Sequence, residues 1–307
     1  MAPLIAGIEL GGTKCNCILA TGPGDIRDEA RIPTTTPGET LAAIEAVLAR
    51  WRGYAALGIA SFGPVSIDRQ ATDYGFITAT TKPGWSDTDV AQRLVKAAGV
   101  PTGFNTDVAG AALGEGRWGA AHDVADHAYV TVGTGIGVGL VLGGVPVEGL
   151  THAELGHIRP VRLPGDAWPG SCSFHGDCAE GLASGSAIRA RTGHGADQLA
   201  DDDPVWDGVA HVLAQIIHML VLTGIPRRVV MGGGVMTGQA HLFPRIRRKL
   251  LDSLGGYGAT GLIAPVEQFV VPAALGNRAG PLGAIELGNG ALLAASRERS
   301  PTAFTAP

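Results

Sequence analysis

The sequence predicts an α/β protein made of two related halves, and three observations carry that reading. Short apolar runs alternate along the chain with segments whose apolar residues recur every three or four positions, the mark of strands alternating with amphipathic helices. A strand, glycine turn, strand unit occurs twice, at 4–20 around Gly11-Gly12 and at 129–142 around residues 133–137. The 307 residues are enough for two domains with a cleft between them.

Taken in order, a strand at 4–8 turns at Gly11-Gly12 and resumes over 16–20. A helix is predicted over 39–51, where Leu41, Ile44, Leu48 and Trp51 keep helical spacing. A strand at 56–61 is broken by Phe62-Gly63-Pro64. A second helix is predicted from Ser86, where Ser86 and Asp89 form a capping pattern, to a stop at Gly99. The apolar stretch 100–104 leads into Asn105-Thr106-Asp107 and an alanine-rich helical run. Strands at 129–132 and 138–142 flank the second glycine turn. A long helix is predicted over 205–223, then a strand at 228–231 feeding Gly232-Gly233-Gly234 and a helix after Phe243. A last helix spans about 280–296, followed by a polar, frayed tail over 297–307. The expected division is 1–110, with the 280–296 helix packing back on it, and a larger domain at 111–279 that contains the Cys- and His-bearing loop at 157–178 and the later glycine turns.

Composition narrows the function. Apolar residues make up 45%, charged residues 17%, and glycine occurs 47 times, which suits a compact chain with tight turns and excludes a disordered or coiled-coil one. With a net charge of −5 and no long basic block, nucleic acid is not an expected partner. The short basic run Arg245–Lys249 reads as a solvated helix face. No basic region or cleavage site precedes the first strand, and no run of about 18 apolar residues is found, so neither export nor a membrane span is expected. Cys15 and Cys17 share one strand face and read as small buried hydrophobes. Free thiols point to a reducing compartment, the cytoplasm.

The sharpest chemical signal is Glu154-Leu-Gly-His157 followed by Cys172-Ser-Phe-His175-Gly-Asp-Cys178. Two thiols and two imidazoles, with C-x2-H-x2-C spacing and His157 fifteen positions earlier, form the closed set of a structural zinc. His152 is a further candidate for that metal. The turn Glu9-Leu-Gly11-Gly12-Thr13-Lys14 can bring backbone N–H groups to a phosphate, with Thr13 and Lys14 as donors and Glu9 as a water-bridged Mg2+ ligand. Gly133-Thr134-Gly135-Ile-Gly137 offers a second such turn. Neither is a Walker A loop or a dinucleotide fingerprint. Gly232-Gly233-Gly234 is either a bed for a flat purine or a tight strand-to-helix turn. At Asn105-Thr106-Asp107 the carboxylate is either a general base for a sugar hydroxyl or, like Thr106, a helix cap.

Together these motifs resemble the ROK family of sugar kinases, and within it the bacterial fructokinase branch, over about residues 4–290. Residues 7–14 look like the first phosphate motif, with Glu9 where Asp is more usual. Residues 75–85 are similar to the branch's G-x-I-T-x-T-P-K-x-G-W stretch, with Thr81 in place of Pro. Thr106-Asp107-Val108 with Ala111–Glu115, the turn at 133–137, Glu154–His157 and Cys178–Gly185 match the base, second phosphate, sugar and zinc motifs. The resemblance implies a two-domain actin-like ATPase (ribonuclease H-like) fold closing on ATP and a sugar. It implies ATP-dependent phosphorylation of a hexose, D-fructose first, with mannose, glucose or an N-acetyl hexosamine, or a non-catalytic sugar sensor, as alternatives. Asp107 would be the general base, and Thr106, Glu154, His157 and Glu180 would contact the sugar. ATP, Mg2+ and a structural Zn2+ on His157, Cys172, His175 and Cys178 are implied, as is a homodimer. Three further positions depart from the family pattern: Ala109 where most members carry Asn, Thr106 before the base where many carry Asn, and His175 for a third thiolate, a change the fructokinase branch shares.

Overall fold

A computed structural model describes residues 2–263 and 265–298. The polar tail expected over 297–307 lies outside the described residues from 299 on, and Arg297 and Glu298 belong to the last helix. The chain divides into two compact units, Met1–Gly114 with Glu148–His152 and Arg278–Pro307, and Glu115–Val147 with Ala153–Asn277.

The first unit is built on a five-stranded sheet of β1 (Ile5–Leu10), β2 (Lys14–Gly22), β3 (Asp25–Pro33), β4 (Ala56–Ser61) and a strand at Thr102–Thr106. Between the strands run α1 (Pro37–Arg50), the short ribbon β5 (Phe76–Ile77) and β6 (Thr88–Asp89), and α2 (Ala91–Ala98). The Thr102–Thr106 strand is β7, and α3 (Asp107–Trp118) follows it directly. The sheet order is β3-β2-β1-β4-β7, antiparallel through β3, β2 and β1 and parallel through β1, β4 and β7. Helix α1 starts two residues before the expected position because Thr36 caps it, accepting from Glu39 N–H at 3.4 Å while donating to the Glu39 carboxylate at 3.0 Å, and Pro37 fits the first turn. Helix α2 begins at Ala91 rather than near Ser86. Asp87 holds a left-handed φ of 56°, Thr88–Asp89 pair with Phe76–Ile77, and the Asp89 carboxylate accepts from Gln92 N–H at 3.0 Å. Of the two residues read as a cap, Asp89 caps and Ser86 bonds to Thr80 instead.

The second unit repeats the sheet: β8 (His127–Val132), β9 (Ile136–Leu142), β10 (Val145–Pro146), β11 (Arg228–Gly232) and β12 (Val270–Pro272), in the order β10-β9-β8-β11-β12. Again three strands run antiparallel and three parallel. Its helices are α4 (Ala179–Ala183), α5 (Gly185–Thr192), α6 (Val205–Thr223), α7 (Gly234–Gly238), α8 (Leu242–Leu254) and α9 (Val266–Phe269). The two sheets share one strand order, which is what the repeated glycine-turn unit predicts. Among the described residues, α6 is long and apolar enough to cross a membrane by length and composition, although Asp207, His211, Gln215 and His218 interrupt its apolar run. Most of its apolar side chains, Trp206, Leu213, Ile217 and Leu220 among them, are buried in this unit's core, while Met219 and Leu222 are exposed.

Helix α10 (Ala279–Glu298) returns to the first unit and lies on β1, β4 and β7. Gly7, Gly58 and Gly103 sit side by side across these strands in register. A Cβ on Gly58 would lie 1.7 Å from the Ala284 carbonyl oxygen, and one on Gly103 would lie 2.2 Å from that of Leu287. The helix therefore rests on strand backbone. Ala6, Ile8 and Leu10, on the other face of β1, join Leu41, Ile44 and Leu48 of α1 in the core. Gly58→Ala is expected to cost about 1–3 kcal/mol through overpacking. Gly24→Ala, whose methyl would meet no atom within 4 Å, should stay within about 0.5 kcal/mol of wild type. Thermal unfolding by circular dichroism checks this; equal melting temperatures would remove the close approach as a constraint.

Candidate active site

The first glycine turn is a tight hairpin in which Gly11 N–H donates to the Lys14 carbonyl at 3.0 Å. Thr34 braces it, its hydroxyl donating to the Gly11 carbonyl at 2.7 Å and its N–H to that of Thr13 at 3.0 Å. Gly12 faces open space, and Lys14 opens β2. Glu9 pairs across the hairpin with Asn16, whose amide donates to its carboxylate. Burial pushes the Glu9 carboxyl up, against the Asn16 bond and the Lys14 charge. Gly280 of α10 leaves the room this carboxylate occupies. A desolvated carboxylate gains from a nearby cation, which fits a ligand for Mg2+ or its water shell.

At the β7–α3 junction the sequence left cap and base unresolved. Thr106, 4% exposed, takes the cap, its hydroxyl accepting from Ala109 N–H at 3.1 Å. Asp107, the first helical residue, is half-buried, and its Oδ1 accepts from Val108 N–H at 2.8 Å. Ala109 is buried in the first turn and adds no polar group.

The second glycine turn, the sugar motif and the end of the metal motif are fastened together. Strand β9 starts at Ile136, so Gly137 pairs with Thr131 in the ladder and the turn proper is Gly133-Thr134-Gly135. The turn carbonyls of Gly133 and Thr134 accept from Gly185 and Ser186 N–H at 2.7 and 3.3 Å, at the start of α5. Glu180, in α4, accepts from Ile136 N–H at 3.0 Å and packs on Gly135. Gly156 of the Glu-x-Gly-His motif is pressed on the same residue, since a Cβ there would lie 2.0 Å from the Ile136 carbonyl. Thus Glu154, His157 and Glu180 are held about one strand end. Burial, with the Glu180 charge second, holds Glu154 up at about 7.

His157, Cys172, His175 and Cys178 bring one donor atom each within 4.8 Å of one another. The two Nδ1 atoms are 3.2 Å apart, and sulfur–nitrogen separations are 3.5 Å for Cys178–His157 and 3.8 Å for Cys172 to either histidine. Bond lengths of about 2.05 Å to nitrogen and 2.3 Å to sulfur give a tetrahedron with edges of about 3.3–3.8 Å, so the four atoms match a zinc ligand set. Burial pushes the Cys178 thiol up to about 11, against a bond from Gly181 N–H, so the thiolate needs a cation beside it. With Nδ1 turned to this cluster, His157 presents Nε2 to Glu154, 4.0 Å from its carboxylate. His152 is not in the group; its Nε2 accepts from Val65 N–H at 3.0 Å.

The sequence reading missed the charged brace of this loop. Asp177 binds Arg159 at 2.5 Å and Arg162 at 3.2 Å, and Asp166 binds Arg162 at 3.2 Å and Arg191 at 2.9 Å. Two arginines, Arg159 and Arg162, followed by two aspartates, Asp166 and Asp177, were the available signal. Gly232 and Gly233 are required by packing: a Cβ would meet the Tyr129 hydroxyl at 2.3 Å and the Val132 carbonyl at 2.5 Å, and Gly233 has φ 88°. Gly234 faces open space at the start of α7. His211 and His218 bond to the Val161 carbonyl and the Ser253 hydroxyl.

A model of the ROK family matches residues 5–290. The fructokinase of Pediococcus pentosaceus is 40% identical over 289 residues, covering 94% of this chain and 99% of that protein. A ROK hexokinase from Thermus thermophilus superposes with a TM-score of 0.77 at 27% identity, over 95% of this chain and 99% of its own. A ROK family glucokinase from Streptomyces griseus, solved with glucose and AMPPNP, superposes at 0.73 with 25% identity, over 94% and 99% of the two chains.

Proposed function

The chain belongs to the ROK family, and from that premise we propose that it is a fructokinase, moving the γ-phosphoryl group of ATP to D-fructose to give fructose 6-phosphate. The observation that carries the reading is the double engagement of His157, Nδ1 among the metal ligands and Nε2 toward Glu154. A metal on Nδ1 leaves the proton on Nε2, which can donate to a sugar hydroxyl oxygen. Glu154 and Glu180 are the acceptors for sugar hydroxyls beside it.

Phosphoryl transfer asks for positioning and charge stabilisation more than for covalent work. The backbone N–H groups of Gly11, Gly12 and Thr13, with Lys14, and those of Gly133, Thr134 and Gly135, are the phosphate donors in this reading. Gly234 is the open glycine of the third cluster, on the nucleotide side. Asp107 orients the acceptor hydroxyl and takes its proton as oxygen bonds to phosphorus. Thr106 already serves the helix cap, so it has its hydroxyl proton and one lone pair left to offer the sugar. Glu9 is the residue for Mg2+, which when bound neutralises phosphate charge. Zn2+ on His157, Cys172, His175 and Cys178 would have no open position, so its part is to hold the loop and the His157 tautomer. The enzyme in this reading is cytoplasmic and homodimeric, as the family resemblance implies. A second reading, a kinase for another hexose, is favoured by Ala109 and Thr106, the two departures beside the base.

Three outcomes are expected. In a coupled ADP-release assay with ATP and Mg2+ across a hexose panel, fructose gives the highest kcat/KM; a better hexose would move the substrate, and no turnover would favour a sugar sensor. Asp107→Asn lowers kcat by on the order of 10²–10⁴-fold while fructose still binds; near-normal turnover would remove Asp107 from the mechanism. Purified protein carries zinc by elemental analysis, and Cys172→Ser loses it and raises the fructose KM; wild-type protein without zinc would sink the metal assignment.

A further inference from the structure

Segment Glu148–His152 joins the second sheet to the sugar motif, yet it packs with the first unit. It has no regular structure, and its side chains are mostly exposed. Two hydrogen bonds tie it down. The His152 ring accepts from Val65 N–H at 3.0 Å, just past the end of β4. Glu148 Oε1 accepts from the Asn105 side-chain amide at 2.7 Å, at the end of β7. Asn105 is 2% exposed, and its own Oδ1 accepts from Thr106 N–H at 2.8 Å. Both ends of this buried side chain are therefore engaged, one on the backbone that leads into Asp107 and the other on Glu148. The bond to Glu148 is charge-assisted, and so among the stronger hydrogen bonds available to an amide.

We propose that Glu148 is a positioning residue for phosphoryl transfer: through Asn105 it fixes the strand end from which Thr106 and Asp107 emerge, and so aims the Asp107 carboxylate at the acceptor hydroxyl. The proposal rests on the kinase reading with Asp107 as base. A purely stabilising role is a poor match for Glu148, because its side chain is exposed and buries little surface. Its removal would let Asn105 and the β7 end relax without opening the core. Displacements of about 1 Å in a reacting group can cost up to 10²-fold in rate.

The test is steady-state kinetics with fructose and ATP on Glu148→Ala and Glu148→Gln, alone and in the Asp107→Asn background, with thermal melts of each. Glu148→Ala should lower kcat about 10- to 100-fold at unchanged fructose KM and unchanged melting temperature. Glu148→Gln, whose amide oxygen still accepts from Asn105, should recover most of that loss. In the Asp107→Asn background, Glu148→Ala should cost nothing more, since it acts through a base already removed. Wild-type kcat in Glu148→Ala, an equal loss without Asp107, or a fall in melting temperature that glutamine does not rescue would each overturn the proposal. Normal turnover by Asp107→Asn alone, or a wild type that phosphorylates no hexose, would overturn it by removing the reading beneath it, and these single-protein results are distinct from the others.

Discussion

The architecture depends on backbone meeting backbone where no side chain intervenes. In the first unit α10 rests on three strands at Gly7, Gly58 and Gly103. In the second, Gly156 seats the sugar motif on the Ile136 carbonyl. Such contacts are intolerant in a way apolar packing is not. A Leu-to-Met change in a core leaves volume to be shared among neighbours, whereas a methyl inserted between a strand and a helix must move one of them bodily. The consequence for the site is registration. Glu9 lies on the same strand face as Gly7, under Gly280 of α10, so the helix that meets the strands so closely also sets the space around a proposed cation ligand.

The second unit fixes its acids differently. Glu180 does not simply point into solvent from α4; it is held by Ile136 N–H, and Ile136 is also the seat of Gly156. One residue at the start of β9 therefore couples the second glycine turn, the Glu-x-Gly-His motif and the metal-bearing loop. The ion pairs of Asp166 and Asp177 brace the same loop from outside. Exposed pairs contribute little singly, but Arg162 bonds to both Asp166 and Asp177, and so links the two ends of the segment.

Much of this was legible in the sequence, for physical reasons. Repetition exposed the two halves, because each strand, glycine turn, strand unit must recur to build its sheet. Donor chemistry and spacing gathered the four zinc-type donors, which the structure brings together, because few other functions require two thiols and two imidazoles so close together. What escaped was tertiary. Strand β3 carries Asp28, Glu29 and Arg31 and shows no strand pattern in the sequence, since an edge strand wetted on one face needs no apolar pattern. The start of α2 was misplaced because the left-handed Asp87 and the β5–β6 ribbon are set by pairing partners ten or more residues away. Helix α6 is polar at Asp207, His211, Gln215 and His218, which hid an overall hydropathy that only its central burial explains. Gly156 could be quoted as part of a motif, but its reason, the Ile136 carbonyl, is visible only in three dimensions.

The junction at Asn105-Thr106-Asp107 shows how the departures from the family pattern are accommodated. A helix that begins directly after a strand leaves N–H groups without intrahelical partners, and an asparagine, threonine or aspartate nearby will compete for them. If Asp107 had to satisfy the cap, its carboxylate would be committed to the backbone and poorly placed to take a proton. Thr106 takes Ala109 N–H itself, and Asp107 Oδ1 accepts from Val108 N–H, so the two side chains divide the first-turn donors between them. Alanine at 109 then presents no side chain to compete for Thr106 or Asp107. Asn105, one position earlier, takes up Thr106 N–H and so fixes the strand side of the junction.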